Sequence, residues 1–164
     1  YLNMKSKKLK NIKKKTLVVF YSRTGNTRKV AEEISKILDA DICEIYSNSN
    51  YKGILGYIKA GYQAIKMKKP LIKFDKNPDD YDLIIIGTPN WGSKMASPVR
   101  TFVYGREFKN VAYFCCQGGS GGEKILNEFE DLCGKSVARL IINDRELKDE
   151  CYKTKIKEFC EKLK

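Results

Sequence analysis

Leu17-Val18-Val19-Phe20-Tyr21 runs directly into Ser22-Arg23-Thr24-Gly25-Asn26-Thr27, and Val30, Ala31, Ile34, Ile37 and Leu38 follow. The first five residues are apolar and β-prone, as in a central strand buried on both faces. The later apolar positions recur at helical spacing and predict a helix over residues 26–38. Strand, short polar loop and helix in that order make an anion cradle. N–H groups at a helix N-terminus lack partners, and the helix dipole favours negative charge there. Hydroxyls of Ser22, Thr24 and Thr27 and the amide of Asn26 add donors, and Gly25 permits close backbone approach. Ser, Thr, Asn and Gly are also ordinary turn and cap residues. The loop alone therefore leaves both a phosphate site and a plain turn open.

The same unit repeats along the chain. A second strand is predicted over residues 41–46. Ile54, Ile58, Tyr62 and Ile65 then mark the inward face of a helix that stops near Lys69-Pro70. Asp82-Leu-Ile-Ile-Ile-Gly87 is a third strand, and the loop Thr88-Pro89-Asn90-Trp91-Gly92-Ser93-Lys94-Met95 follows it. Ser97 as N-cap with Pro98 at the first position opens a helix whose inner face is Val99, Phe102 and Val103. A strand at 111–115 leads into Cys116-Gln117-Gly118-Gly119-Ser120-Gly121-Gly122. A helix over 123–132 turns Ile125, Leu126, Phe129 and Leu132 inward. A fifth strand at 137–142 precedes a last helix at 147–163, which buries Tyr152, Ile156, Phe159 and Leu163. Five strand–helix alternations predict an α/β fold: a doubly wound, five-stranded parallel sheet with helices on both faces. Ligands in such sheets bind at the carboxyl ends of the strands. Three polar, Gly-bearing loops fall at the ends of the first, third and fourth strands, and this agreement favours the phosphate reading of residues 22–27.

Composition narrows the chemistry. With 164 residues, 42% hydrophobic and 32% charged, the chain fits one globular domain. It has no apolar run of membrane-span length and no apolar signal segment before the first strand, so a cytoplasmic protein is expected. Met4 is a candidate start, with Tyr1-Leu2-Asn3 ahead of it as a foreign extension. The net charge is +12, and residues 1–15 supply seven lysines and no acid, leaving +5 for the rest. Much of the basicity is thus a tail (1–15) ahead of a single domain (16–164). Such a tail can bind an anionic surface, but it lacks the interleaved aromatics of a nucleic-acid site. There is no histidine, which removes the commonest general base. The six cysteines form no C-x-x-C pair, so no metal site is predicted and most read as small buried hydrophobes.

Trp91 is the only tryptophan. Between Asn90 and Gly92 at a strand end it reads either as a stacking wall for a flat ring or as a cap on the core. The third loop, with four glycines and no charge, brings backbone N–H groups close to a ligand, or else is a flexible surface loop.

Taken together these motifs resemble the flavodoxin family. Ser22-Arg-Thr-Gly-Asn-Thr27 is similar to its FMN phosphate loop, which carries T-G-N-T. Gly87-Thr-Pro-Asn-Trp-Gly-Ser-Lys-Met-Ala-Ser-Pro-Val-Arg-Thr-Phe102 resembles its G-x-P-x-W-x…P-x-x-x-F stretch. Phe114-Cys-Cys-Gln-Gly-Gly-Ser-Gly121 is similar to its third, flavin-facing loop, and Gly56-Tyr-Ile-Lys-Ala-Gly-Tyr-Gln-Ala64 to its second helix. The likeness covers about residues 16–163. It implies strand order 2-1-3-4-5 and an FMN cofactor. Ser22, Arg23, Thr24, Gly25, Asn26 and Thr27 would hold the phosphate, and Thr88 would reach the phosphate or ribityl chain. Pro89, Asn90, Trp91 and Gly92 would line the isoalloxazine, with Gly92 allowing a peptide flip. Cys116, Gln117, Gly118 and Gly119 would meet its pyrimidine edge through backbone N–H groups. The implied function is electron transfer through bound FMN between redox partner proteins, with no catalytic acid or base. Two features depart from the pattern: the third loop has no aromatic residue, and the chain is basic where flavodoxins are acidic. These leave room for an NAD(P)H-dependent flavin or quinone reductase, and for an anionic-surface module acting through the lysine tail. Low-molecular-weight tyrosine phosphatases are set aside because residues 22–27 contain no Cys, and receiver domains because no acidic cluster ends the first strand. Cys133-Gly134-Lys135-Ser136 lacks the earlier glycine of a P-loop.

Overall fold

A computed structural model of the protein describes residues 13–164. Nearly all of the lysine tail, residues 1–12, lies outside the described residues. Five strands form one parallel sheet: β1 (Thr16–Phe20), β2 (Asp41–Glu44), β5 (Leu83–Trp91), β7 (Val111–Gln117) and β8 (Arg139–Asn143), in the order β2-β1-β5-β7-β8. Counting only these five strands, the order is the predicted 2-1-3-4-5. β1 is buried at every position, as its unbroken apolar run requires.

Side chains alternate across the pleat and make two core layers. Leu17, Val19, Ile84, Ile86, Tyr113 and Cys115 face one layer, under α3 (Ser97–Val103) and α4 (Gly122–Cys133). Val18, Phe20, Ile85, Phe114 and Cys116 face the other, under α1 (Asn26–Leu38) and α5 (Cys151–Glu161). Tyr152, Ile156, Phe159 and Leu163 are buried as predicted, as are Ile125, Leu126 and Phe129, while Leu132 is exposed and Cys133 takes the inward place. Ser97 is the first residue of α3, one position inside the cap site, which Ala96 occupies.

The stretch between β2 and β5 departs most from expectation. It adds a small antiparallel ladder, β3 (Tyr46–Ser47) with β4 (Ile72–Lys73). The 3-10 turn at Pro78–Asp80 falls where the polar stretch with Pro78 reads as a turn. α2 (Gly53–Ile65) is a helix, but its inward face is Gly56, Ala60 and Ala64. Ile54, Ile58, Tyr62 and Ile65 point to solvent, at 81%, 61%, 57% and 66% exposure. The cause is close packing: a Cβ on Gly56 would stand 2.0 Å from the Tyr51 carbonyl carbon. Only the face of small residues can approach the chain that closely, so the large apolar residues are turned outward.

Candidate functional site: three loops at the carboxyl edge of the sheet

The first loop is held by its own hydrogen bonds. Gly25 is left-handed, with φ 102°, and caps α1. Its carbonyl accepts the Lys29 N–H, and its own N–H donates to the Ser22 hydroxyl at 3.0 Å. Arg23 reaches away from the loop: Nε donates to the Tyr51 carbonyl at 2.8 Å, Nη2 donates to the Gly53 carbonyl at 3.0 Å, and the guanidinium lies 5.6 Å over the Tyr57 ring. The Asn26 amide donates to Asp144 at 3.1 Å, and Thr27 is buried with its hydroxyl against the Cys116 thiol. Side-chain polar groups are thus mostly engaged within the protein, and Thr24 is exposed. No side chain caps α1 and no acid lies in its first turn. The first-turn N–H groups and the positive helix end therefore face outward for an anion. Arg28, in the same turn, is ion-paired with Glu44 (Nε to Oε1, 3.0 Å), which offsets its charge. This cradle fits a phosphate group, and it does so chiefly through backbone.

The second loop is less of a loop than the sequence suggests. Thr88 and Pro89 still pair with Cys115 and Cys116, and β5 continues to Trp91. A two-residue turn, Gly92-Ser93, then leads to β6 (Lys94–Met95). Both turn residues have positive φ, 62° and 64°, as a type I′ hairpin requires. Thr88 is fully buried; its hydroxyl donates to the Pro89 carbonyl at 2.8 Å and accepts the Ala96 N–H at 2.9 Å. Its polar group is committed to holding the hairpin. Trp91 joins the core layer under α3 and is 8% exposed, with Tyr51 and Tyr21 meeting it edge-on at 5.0 and 5.6 Å.

The third loop leaves β7 at Gln117, so Cys116 and Gln117 belong to a strand and Gly118 and Gly119 to the connection. Gln117 is a junction: its amide donates to Asn143 at 3.1 Å, and its carbonyl oxygen accepts the Gly122 N–H at 2.8 Å. Asn90 ties the second loop to the third by donating to the Ser120 carbonyl at 2.7 Å, while its own oxygen accepts the Ser93 N–H at 2.7 Å. All fifteen residues singled out in the sequence lie on the three segments at this sheet edge, but the Arg23 side chain turns to the start of α2, and Thr88, Trp91 and Cys116 are buried. The edge also recruits Tyr21, Tyr51, Ser93 and Asp144, which sequence patterns did not mark. Tyr21 ends the first apolar run and could have been read from its place. Asp144, one residue past β8, was legible only as a fourth strand terminus.

Electrostatics argue against a nucleophile here. Burial pushes the Cys115 thiol up to about 12 and raises that of Cys116 further, so both stay protonated at neutral pH. Burial, with Tyr51 beside it, pushes the Tyr21 phenol to about 12. What the edge offers is a set of fixed donors and a wall of aromatic and apolar groups. That suits holding a phosphorylated, flat group better than transferring a proton.

Comparison with known proteins agrees with this geometry. No curated protein matches the chain. A flavoprotein from Lactobacillus acidophilus NCFM, solved in complex with FMN, is 27% identical over 82% of this chain and 97% of its own, with a TM-score of 0.64. A protein from Bacteroides uniformis described as a flavoprotein is 25% identical over 85% of this chain and 98% of its own, also at TM-score 0.64. Oxidised flavodoxin 2 from Bacillus cereus shares the fold, at 18% identity over 90% of this chain and 96% of its own, with a TM-score of 0.56. The sequence profile of the family described as Flavodoxin matches residues 15–163, and the chain belongs to the flavodoxin family.

Proposed function

We propose that this chain is a redox protein that holds FMN at the carboxyl edge of its sheet and passes electrons through it. The observation that carries the reading is the start of α1, which has no side-chain cap and no acid of its own in its first turn, at the same sheet edge as the β5 hairpin and the glycine loop. FMN supplies the electron-accepting and electron-donating chemistry when bound. The chain's residues hold and orient it. Backbone N–H groups of residues 26–28 bind the phosphate, with the Gly25 N–H holding the loop through Ser22. The hairpin with Gly92 and the strand ends with Pro89 and Asn90 line the ring. Backbone N–H groups of residues 117–119 face its polar edge, where donors favour negative charge. Thr88 and Gln117 act by holding these segments in place.

A second reading, an NAD(P)H-dependent flavin or quinone reductase, draws on one feature: residues 118–122 carry no aromatic side chain to cover a ring face. Purified protein should be yellow or take up FMN stoichiometrically, and anaerobic NAD(P)H then separates the two readings. Slow or absent bleaching favours a carrier fed by a protein partner, whereas rapid bleaching selects the reductase. A protein that takes up no FMN under any condition sinks both.

A further inference from the structure

We propose that α2 and the turn after it form a docking face for an anionic lipid surface. Ile54, Leu55, Ile58, Tyr62 and Ile65 make a continuous outward stripe along α2, and Met67 and Leu71 extend it. This is the largest group of exposed apolar side chains among the described residues, and a patch of that size marks an interaction site. Its charge selects the occupant. Residues 47–74 carry six lysines (52, 59, 66, 68, 69 and 73) and no aspartate or glutamate. Lys59, Lys68 and Lys69 line a concavity with Tyr62 beside the stripe, and Lys69 lies 4.7 Å over the Tyr104 ring.

A second copy of the chain would set Lys59 and Lys66 against their own counterparts with no carboxylate in the segment to neutralise them. A helix with an apolar stripe, flanking lysines and interfacial tyrosines matches a bilayer surface bearing anionic headgroups. No helix among the described residues is long and apolar enough to cross a membrane, so the contact is peripheral. The face also adjoins the first loop, because Arg23 binds the Tyr51 and Gly53 carbonyls at the start of α2. A docked protein would therefore hold that edge of the sheet close to the bilayer.

The test is co-sedimentation of the full chain with phosphatidylcholine vesicles, with and without phosphatidylglycerol. Binding should require phosphatidylglycerol and weaken with salt. The double variant Ile58→Glu, Ile65→Glu should lose at least about tenfold in partitioning with an unchanged circular dichroism melt, since both sites are exposed. Lys59→Gln and Lys66→Gln should each cost about fivefold. A double variant that binds as well as the parent would assign binding to the N-terminal lysines and overturn the proposal. So would a parent that ignores phosphatidylglycerol, or a solution dimer that Ile58→Glu dissociates.

Discussion

Gly56 decides which way α2 faces. Its Cα rests on the Tyr51 backbone, and a methyl there would overlap the Tyr51 carbonyl carbon. Gly56→Ala should therefore destabilise the fold by about 1–3 kcal/mol, as overpacking does, although alanine is the better helix former. A rise in melting temperature would contradict this packing. Trp91 carries a second prediction. Its indole bridges Tyr21 and Tyr51 to the core, so Trp91→Ala should cost about 3–5 kcal/mol. It should also weaken FMN binding in a fluorescence titration; a variant that melts earlier but binds FMN unchanged would make Trp91 a core residue alone. These two residues show what the sequence could and could not reveal. Trp91 stood out because it is single and sits at a strand end. The role of Gly56 depends on contact with residue 51, and periodicity instead pointed to the larger apolar face of the same helix.

At the scale of elements, β1, β5 and β7 were legible as apolar runs buried on both faces, while the edge strands β2 and β8, which carry charged or polar ends, were placed by their position between helices. The β3–β4 ladder was not legible, since two-residue strands leave no periodic signal. The extension of β5 through Pro89 to Trp91 was hidden for another reason. Thr, Pro and Asn read as loop residues, yet Thr88 and Pro89 stay paired with β7. The site is consequently built on strand ends and tied across by side chains. Asn90→Ala removes the links to Ser120 and Ser93 and should cost about 1–2 kcal/mol, at about 1 kcal/mol net per hydrogen bond. Amide exchange should quicken selectively at Ser93 and across residues 118–122. Unchanged exchange there would mean that the second and third loops are held independently.

The whole molecule stores most of its thiols in the core. Burial pushes Cys115 and Cys133 to about 12 and Cys160 to about 11, and raises Cys43 and Cys116 as well, from an ordinary value of 9.0. The folded state keeps these protons after the unfolded chain has lost them, so stability is full below pH 9 and falls as pH rises towards 11–12. The slope approaches about 1.4 kcal/mol per pH unit for each thiol. Thermal melts from pH 7 to 11 should show a plateau and then a steep decline, and a constant melting temperature to pH 11 would contradict the buried-thiol account. Over the same molecule, the family was legible from the motifs on three loops, the sheet order followed as what that resemblance implies, and the fit of those loops to one phosphorylated cofactor is the central claim. Titrating apoprotein with FMN and, separately, with riboflavin tests it most directly. Two or more charge-assisted bonds from the start of α1 predict that FMN binds at least ~100-fold more tightly than riboflavin. Equal affinity for the two flavins would contradict the account, because residues 22–27 would then not hold the phosphate.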